Sequence, residues 1–203
     1  MPSKFRLRNI FRPVVKLIAK CLSKIGVTPN LATIIMFIMA IISFIYLIFF
    51  NNLLLFAIFV FMCGIFDGVD GAIARIKNKA TPFGGFFDSI MDRFSEFVIF
   101  LALLLYCWEQ LLWNLFDMKI IIFISFLATI MISYSRARAE TLYEGDFDIG
   151  IMARSERLFY LVIVSIVAFF HGFFNEFLFI FMWLVIVTFI HRYVKINNWL
   201  KKV

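Results

Sequence analysis

Four aspartates, Asp67, Asp70, Asp88 and Asp92, lie in one short stretch bounded on both sides by long apolar runs. Carboxylates are costly inside a membrane-spanning segment, and where they occur they line ion paths or carry chemistry. Asp67 and Asp70 are spaced i,i+3 and share a helical face with Gly71 and Ala74, so the stripe stands beside backbone that a bulky group can approach. Gly84, Asp88 and Asp92 follow at i, i+4, i+8 on the next helix. If the two helices pair through the turn at 76–83, the acidic stripes face each other and their repulsion demands cations. Oxygen ligands in that number suit Mg²⁺, Mn²⁺ or Ca²⁺, and two such ions roughly 3.5–4 Å apart suit phosphoryl transfer.

The elements that position these groups follow from composition. The 203 residues are 64% hydrophobic and only 16% charged, with 29 Phe and a mean hydropathy of +0.97. This is the balance of an all-α integral membrane protein, not of a soluble domain. At about 20 apolar residues per crossing, spans are expected near 30–50, 53–74, 84–106, 118–138, 156–172 and 177–194. Of the 20 Lys and Arg, all but Lys119 fall on one side of such a six-span chain, which makes the termini, the 76–83 turn and the 139–155 loop cytoplasmic. The span from Asn52 carries Asp67 and Asp70 a turn or two inside the cytoplasmic boundary, and Asp88 and Asp92 are recessed in the same way. A cavity open to cytoplasmic water, reachable by a lipid headgroup, is the expected result.

Residues 4–26 interleave Lys4, Arg6, Arg8, Arg12, Lys16, Lys20 and Lys24 with Phe5, Phe11, Val15, Ile18 and Leu22, a pattern of an amphipathic helix on the cytoplasmic surface, too charged for a secretory signal. Pro13 starts or kinks it. Thr28-Pro29-Asn30 breaks the chain, with Thr28 or Asn30 able to cap the next helix. The chain thus divides into an N-terminal surface helix at 1–27 and a membrane domain at 28–203. The net charge of +7 is scattered over the ends of spans, which points to anionic lipid headgroups as partner and away from nucleic acid. Cys21, Cys63 and Cys107 have no metal-binding spacing and read as unpaired packing residues.

A second group of residues is cationic. Ser133, Arg136 and Glu140 share a face where the fourth span reaches the cytoplasm, and a loop through Glu144-Gly145-Asp146 to Gly150 leads to Arg154 and Arg157, with Ser155 as expected helix cap. With Arg192, the arginines Arg136, Arg154 and Arg157 can form a pocket for a phosphate, because guanidinium forks bind phosphate in a bidentate manner. Anchoring of cytoplasmic helix ends accounts for them equally.

The run from Asp67 to Asp92 resembles the signature of the CDP-alcohol phosphotransferase family of phospholipid-synthesising membrane enzymes: Asp-x-x-Asp-Gly-x-x-Ala-Arg, eight residues, then Gly-x-x-x-Asp-x-x-x-Asp, with every signature position matched. The six-span layout, the N-terminal helix and the Thr-Pro-Asn also resemble the family. The resemblance implies a CDP-linked lipid, CDP-diacylglycerol or CDP-archaeol, as donor and CMP as leaving group. It implies that Asp67, Asp70, Asp88 and Asp92 ligate two Mg²⁺ or Mn²⁺ ions, that Asp92 also serves as general base, and that Asp70, Gly71, Ala74, Arg75, Gly84 and, less directly, Thr81 surround the cytidine nucleotide. It further implies a homodimer. Ser133-Tyr134-x-Arg136-Ala-Arg138-Ala-Glu140 with Arg154-x-Glu156-Arg157 resembles the branch that uses inositol phosphate, although that branch often carries Lys where this chain has Arg136, which changes the hydrogen-bond geometry. Glycerol 3-phosphate is the alternative acceptor.

Two other classes compete with this reading. A transporter or channel predicts carboxylates spread through the bilayer depth, whereas here the cluster lies near one face. A non-catalytic assembly protein gives no reason for four aspartates at these spacings.

Overall fold

In the computed structural model, which describes residues 7–142, 147 and 149–201, the chain is a bundle of seven helices and one small hairpin. Lys4, Phe5, Arg6 and Glu144-Gly145-Asp146, named above, lie outside the described residues. The helices are α1 (Leu7–Lys24), α2 (Pro29–Phe50), α3 (Leu53–Ile76), α4 (Pro82–Tyr106), α5 (Met118–Leu142), α6 (Arg154–His171) and α7 (Phe174–Leu200). Four of them, α2, α3, α5 and α7, are long and apolar enough to cross a membrane. Helices α4 and α6 carry charges along their buried faces and first turns: Asp88, Asp92, Arg93 and Glu96 on α4, and Arg154, Glu156 and Arg157 on α6.

Helix starts follow capping chemistry. Thr28 caps α2, its hydroxyl accepting from the Leu31 amide at 3.3 Å; Pro29 is the first residue of the helix, where its missing N–H and fixed φ are harmless, and so begins an element where the sequence alone had it end one. Asn52 caps α3 at 2.9 Å from the Leu55 amide. Thr81 caps α4, accepting from Gly84 N at 3.0 Å. Ser155 does not cap α6: the cap position is Ala153, with no side-chain bond, and the Ser155 hydroxyl instead donates to Glu156. The helix starts two residues earlier than expected because Arg154 is anchored within it.

Helix α2 is the packing centre on the acidic side. It lies against both α3 and α4, which themselves touch only sparsely, so the two acidic helices are not a simple pair joined by their turn. Helix α1 covers the end of α3, its Phe11, Val15, Ile18 and Leu22 packing on Ile65, Val69, Ala72 and Ile73. Gly68 lets α1 come this close, since a Cβ there would stand 3.3 Å from Val15 Cγ1. Pro13 sits inside α1, and Arg12, Lys16, Lys20 and Lys24 remain exposed on its outer side. Glu156 Oε1 accepts from Leu7 N at 3.2 Å, tying the start of α1 to α6.

Helix α5 packs on α7 and, with α4 and α6, encloses the main core around Phe100, Leu103, Leu161 and Phe181. At the end remote from the aspartates, β1 (Leu111–Leu112) and β2 (Phe116–Asp117) form an antiparallel hairpin, with Trp113 and Asn114 in the left-handed region between them. Trp113 and Phe116 contact Phe179, which also meets Trp183. Cys63 and Cys107 are buried and Cys21 is exposed, all three as free thiols.

Candidate active site

The carboxylates come from two helices that α2 holds in place. Asp67 and Asp70 sit in the last turns of α3, Asp88 and Asp92 in the first half of α4. One oxygen from each of Asp67, Asp88 and Asp92 lies within 4.8 Å of the others. Asp70 adjoins Asp88 and is tied to α2: it is 5% exposed, its Oδ2 accepts from the Thr33 hydroxyl at 2.8 Å, and its Oδ1 accepts from Gly71 N. Such crowding of anions is unstable without positive charge between them. Asp88 Oδ1 is buried with no hydrogen-bond partner among the described residues, a rare condition for a buried acceptor. Hard oxygen donors in this number with an orphaned atom fit divalent metal ligation.

One guanidinium already enters the cluster. Arg154, the first residue of α6, donates through Nη1 to both Asp67 and Asp92. Its Nη2 donates to the Ser95 hydroxyl at 2.8 Å, and Ser95 in turn donates to the Asp92 carbonyl at 2.9 Å. Two of the remaining arginines are buried elsewhere. Arg157, 1% exposed, donates to Glu96 Oε1 from Nε at 3.0 Å and Nη2 at 2.6 Å, and to the Met152 carbonyl at 3.0 Å. Arg192, 2% exposed, donates to the carbonyls of Ile149 at 2.6 Å and Ile132 at 2.8 Å. Arg136 is near the surface and bonded to Glu140 at 2.8 Å. Only Arg154 of the four therefore meets the aspartates; Arg157 and Arg192 clamp the segment that leads into α6.

The nucleotide candidates are grouped along the ends of α3 and α4. The Arg75 guanidinium lies over Gly71, 3.5 Å from where a Cβ would be, and Gly84 faces the Thr81 hydroxyl and Asn30. Ala74 is half-buried on the same stretch of α3. Thr33, Ser95 and Glu96 were not foreseen from sequence, although Glu96 continues the row Gly84, Asp88, Asp92 by one more helical turn. Beside Asp67, α1, α3 and α6 border a groove whose walls are Phe11, Val15, Val60, Phe61, Leu158, Phe159 and Val162, with Arg8 and Ser155 near its polar end.

Residues 26–191 match the model of the CDP-alcohol phosphatidyltransferase family. The chain belongs to that family. Among relatives of this CDP-alcohol phosphatidyltransferase, the archaetidylinositol phosphate synthase of Pyrococcus horikoshii is 34% identical over 161 residues, covering 79% of this chain and 81% of the relative. The phosphatidylinositol phosphate synthase of Mycobacteroides abscessus is 30% identical, covering 81% and 72%. The fold of this chain matches the crystal structure of Mycobacterium tuberculosis phosphatidylinositol phosphate synthase with CDP-DAG bound, at a TM-score of 0.77 and 25% identity over 91% of this chain and 94% of the other. The same enzyme in complex with manganese and citrate matches at 0.77 and 26% identity, over 90% and 88%. The chain is a transferase of phospholipid biosynthesis with membrane helices.

Proposed function

We propose that this enzyme transfers the phosphatidyl-type group of a CDP-linked lipid, CDP-diacylglycerol or CDP-archaeol, to inositol 1-phosphate, releasing CMP. The observation that carries the reading is the meeting of Asp67, Asp88 and Asp92 with the Arg154 guanidinium, next to an apolar groove that Asp67 itself lines. The groove suits a lipid chain, the acidic cluster suits the metals of a pyrophosphate, and a cation beside them suits an acceptor that carries its own phosphate. The two relatives quoted above, both named as inositol-phosphate lipid synthases, favour the same acceptor.

In this reading Asp67, Asp70, Asp88 and Asp92 hold two Mg²⁺ or Mn²⁺ ions. When bound, such ions stabilise the charge that collects on the pyrophosphate bridge. Thr33 fixes the Asp70 carboxylate for this task, and the small residues Gly71, Ala74 and Gly84, with Arg75 and Thr81, border the nucleotide. Asp92 takes the proton of the acceptor hydroxyl. The acceptor oxygen bonds to the phosphorus that carries the lipid alcohol, and the bond from that phosphorus to the bridging oxygen breaks, so CMP leaves with the bridge. Arg154 receives the acceptor phosphate and Arg136 lies nearer the surface to meet it, while Arg157 and Arg192 keep the entry to α6 in place.

Six crossings by α2 to α7, with the termini, the aspartates and the surface helix of residues 1–27 on the cytoplasmic side of the cell membrane and residues 28–203 as the membrane domain, fit the charge bias of the chain. A homodimer completes the proposal. The test is a panel assay: purified protein, either CDP-lipid, Mg²⁺ or Mn²⁺, and inositol 1-phosphate, glycerol 3-phosphate, free inositol or serine, with CMP release followed. Inositol 1-phosphate should be used fastest. Faster turnover of free inositol or serine removes the phosphorylated acceptor, and faster use of glycerol 3-phosphate moves the assignment to that alcohol.

A further inference from the structure

The Arg154 side chain is in an unfinished arrangement. Its Nη1 is shared by Asp67 and Asp92 and its Nη2 is bound to Ser95, yet its Nε is buried with no hydrogen-bond partner among the described residues. Beside it, Asp88 Oδ1 is buried and equally without a partner. A buried charged donor and a buried acceptor both left unmade are expensive, and they do not satisfy each other here. One exchange resolves both. A cation of higher charge density, seated among Asp67, Asp88 and Asp92, would satisfy Asp88 and take the oxygens that Nη1 now occupies. The released guanidinium could then present Nε and an Nη together as a fork to a phosphate.

We infer that Arg154 is the resident counter-cation of the metal-free site, and that a divalent ion binds by displacing it from Asp67 and Asp92 and so makes it available to the acceptor phosphate. This rests on the assignment of the aspartates as metal ligands. The guanidinium keeps its charge at any relevant pH, so it neutralises the cluster while metal is absent without needing a proton. Metal and phosphorylated acceptor then bind in order, because the acceptor's cation is sequestered until the metal arrives. The exchange also frees Asp92 Oδ1 from Arg154 when it must accept a proton, leaving only the 3.4 Å contact of Arg93 on Oδ2.

The experiment uses the full chain in detergent micelles, stripped with EDTA, with Mn²⁺ alone as probe. Arg154→Gln should bind Mn²⁺ at least tenfold more tightly than wild type, because the guanidinium shared by Asp67 and Asp92 no longer competes and only the longer contact of Arg93 to Asp92, 3.4 Å, remains. Its melting temperature in EDTA should fall below wild type, and the gap should close at saturating Mn²⁺. In the wild type, modification of Arg154 by phenylglyoxal, read by peptide mass spectrometry, should accelerate when Mn²⁺ is added. Equal or weaker Mn²⁺ binding by the variant, a melting gap that persists with Mn²⁺, or unchanged labelling each overturns the exchange. If Arg154→Gln does not survive stripping, Ser95→Ala, which removes the shortest of the Nη2 contacts and leaves those to the Asp92 carbonyl and Met36, should tighten Mn²⁺ binding more modestly, and no tightening overturns the exchange as well. Absence of saturable Mn²⁺ binding in wild type and variants alike overturns the metal assignment itself, an outcome distinct from equal binding.

Discussion

At the scale of single residues, each aspartate has a different neighbour, and this separates their expected phenotypes. Asp88→Asn replaces the orphaned oxygen's carboxylate with an amide of the same shape. It should leave a folded protein that loses metal-dependent CMP release by at least about 100-fold, since even outer-shell changes at metal sites cost roughly 10–100-fold. Asp67→Asn and Asp70→Asn should do the same, and full activity in any one of the three takes that residue off the ligand set. Asp92→Asn should keep Mn²⁺ and CDP-lipid binding while kcat falls about 10²–10⁴-fold, the range of a lost general base. Parallel loss of binding and turnover would reduce Asp92 to a ligand. The aspartates were legible in sequence because helical spacing alone puts them on common faces. The arginines were not, because a guanidinium's partner is set by what the fold brings to it. Nothing near Arg157 in sequence signals that Glu96, 61 residues away, is its partner, or that Arg192 reaches the Ile149 and Ile132 carbonyls.

At the scale of elements, α4 and α6 are joined by two rungs, Arg154 on Asp92 and Arg157 on Glu96. The second rung is fully buried, with both side chains 1% exposed. Glu96→Gln leaves the Arg157 charge unmatched in a dry environment and should destabilise the protein by about 3–5 kcal/mol, whereas the double change Glu96→Leu with Arg157→Met should recover much of that loss. Thermal denaturation in micelles checks both. The loop into α6 carries its own constraint: Gly150 has φ +112, and a Cβ there would lie 2.8 Å from Thr188 Cγ2 of α7. Gly150→Ala should therefore lower the melting temperature, by about 1–3 kcal/mol in free-energy terms. Helix limits were legible to within a few residues because apolar length and caps such as Thr28 and Asn52 are local signals. The hairpin at 111–117 and the position of α2 between α3 and α4 were not, since both depend on contacts between distant segments.

At the scale of the whole molecule, the aspartates gather at one end of the bundle and the Trp113, Phe116, Phe179 and Trp183 cluster stands at the other. Aromatic side chains of this kind settle at a membrane–water interface. Single cysteines placed between Glu109 and Asp117 should react with impermeant reagents from outside the cell, and a cysteine at Lys79 only after permeabilisation; the reverse pattern would invert the orientation. The bonds that tie the two ends of the site together also span the chain: Arg154 is separated by 87 residues from Asp67 and by 62 from Asp92. The ribosome therefore delivers the acidic helices to the bilayer long before it delivers the cation that sits among them. A nascent chain halted ahead of α6 must keep its aspartate-bearing ends in water or find another positive charge for them. Until α6 arrives, the seating of α3 and α4 depends on Arg93 beside Asp92 and on cations drawn from solution, so a chain cut short before residue 154 should be more sensitive than the full chain to metal starvation and to membrane quality control.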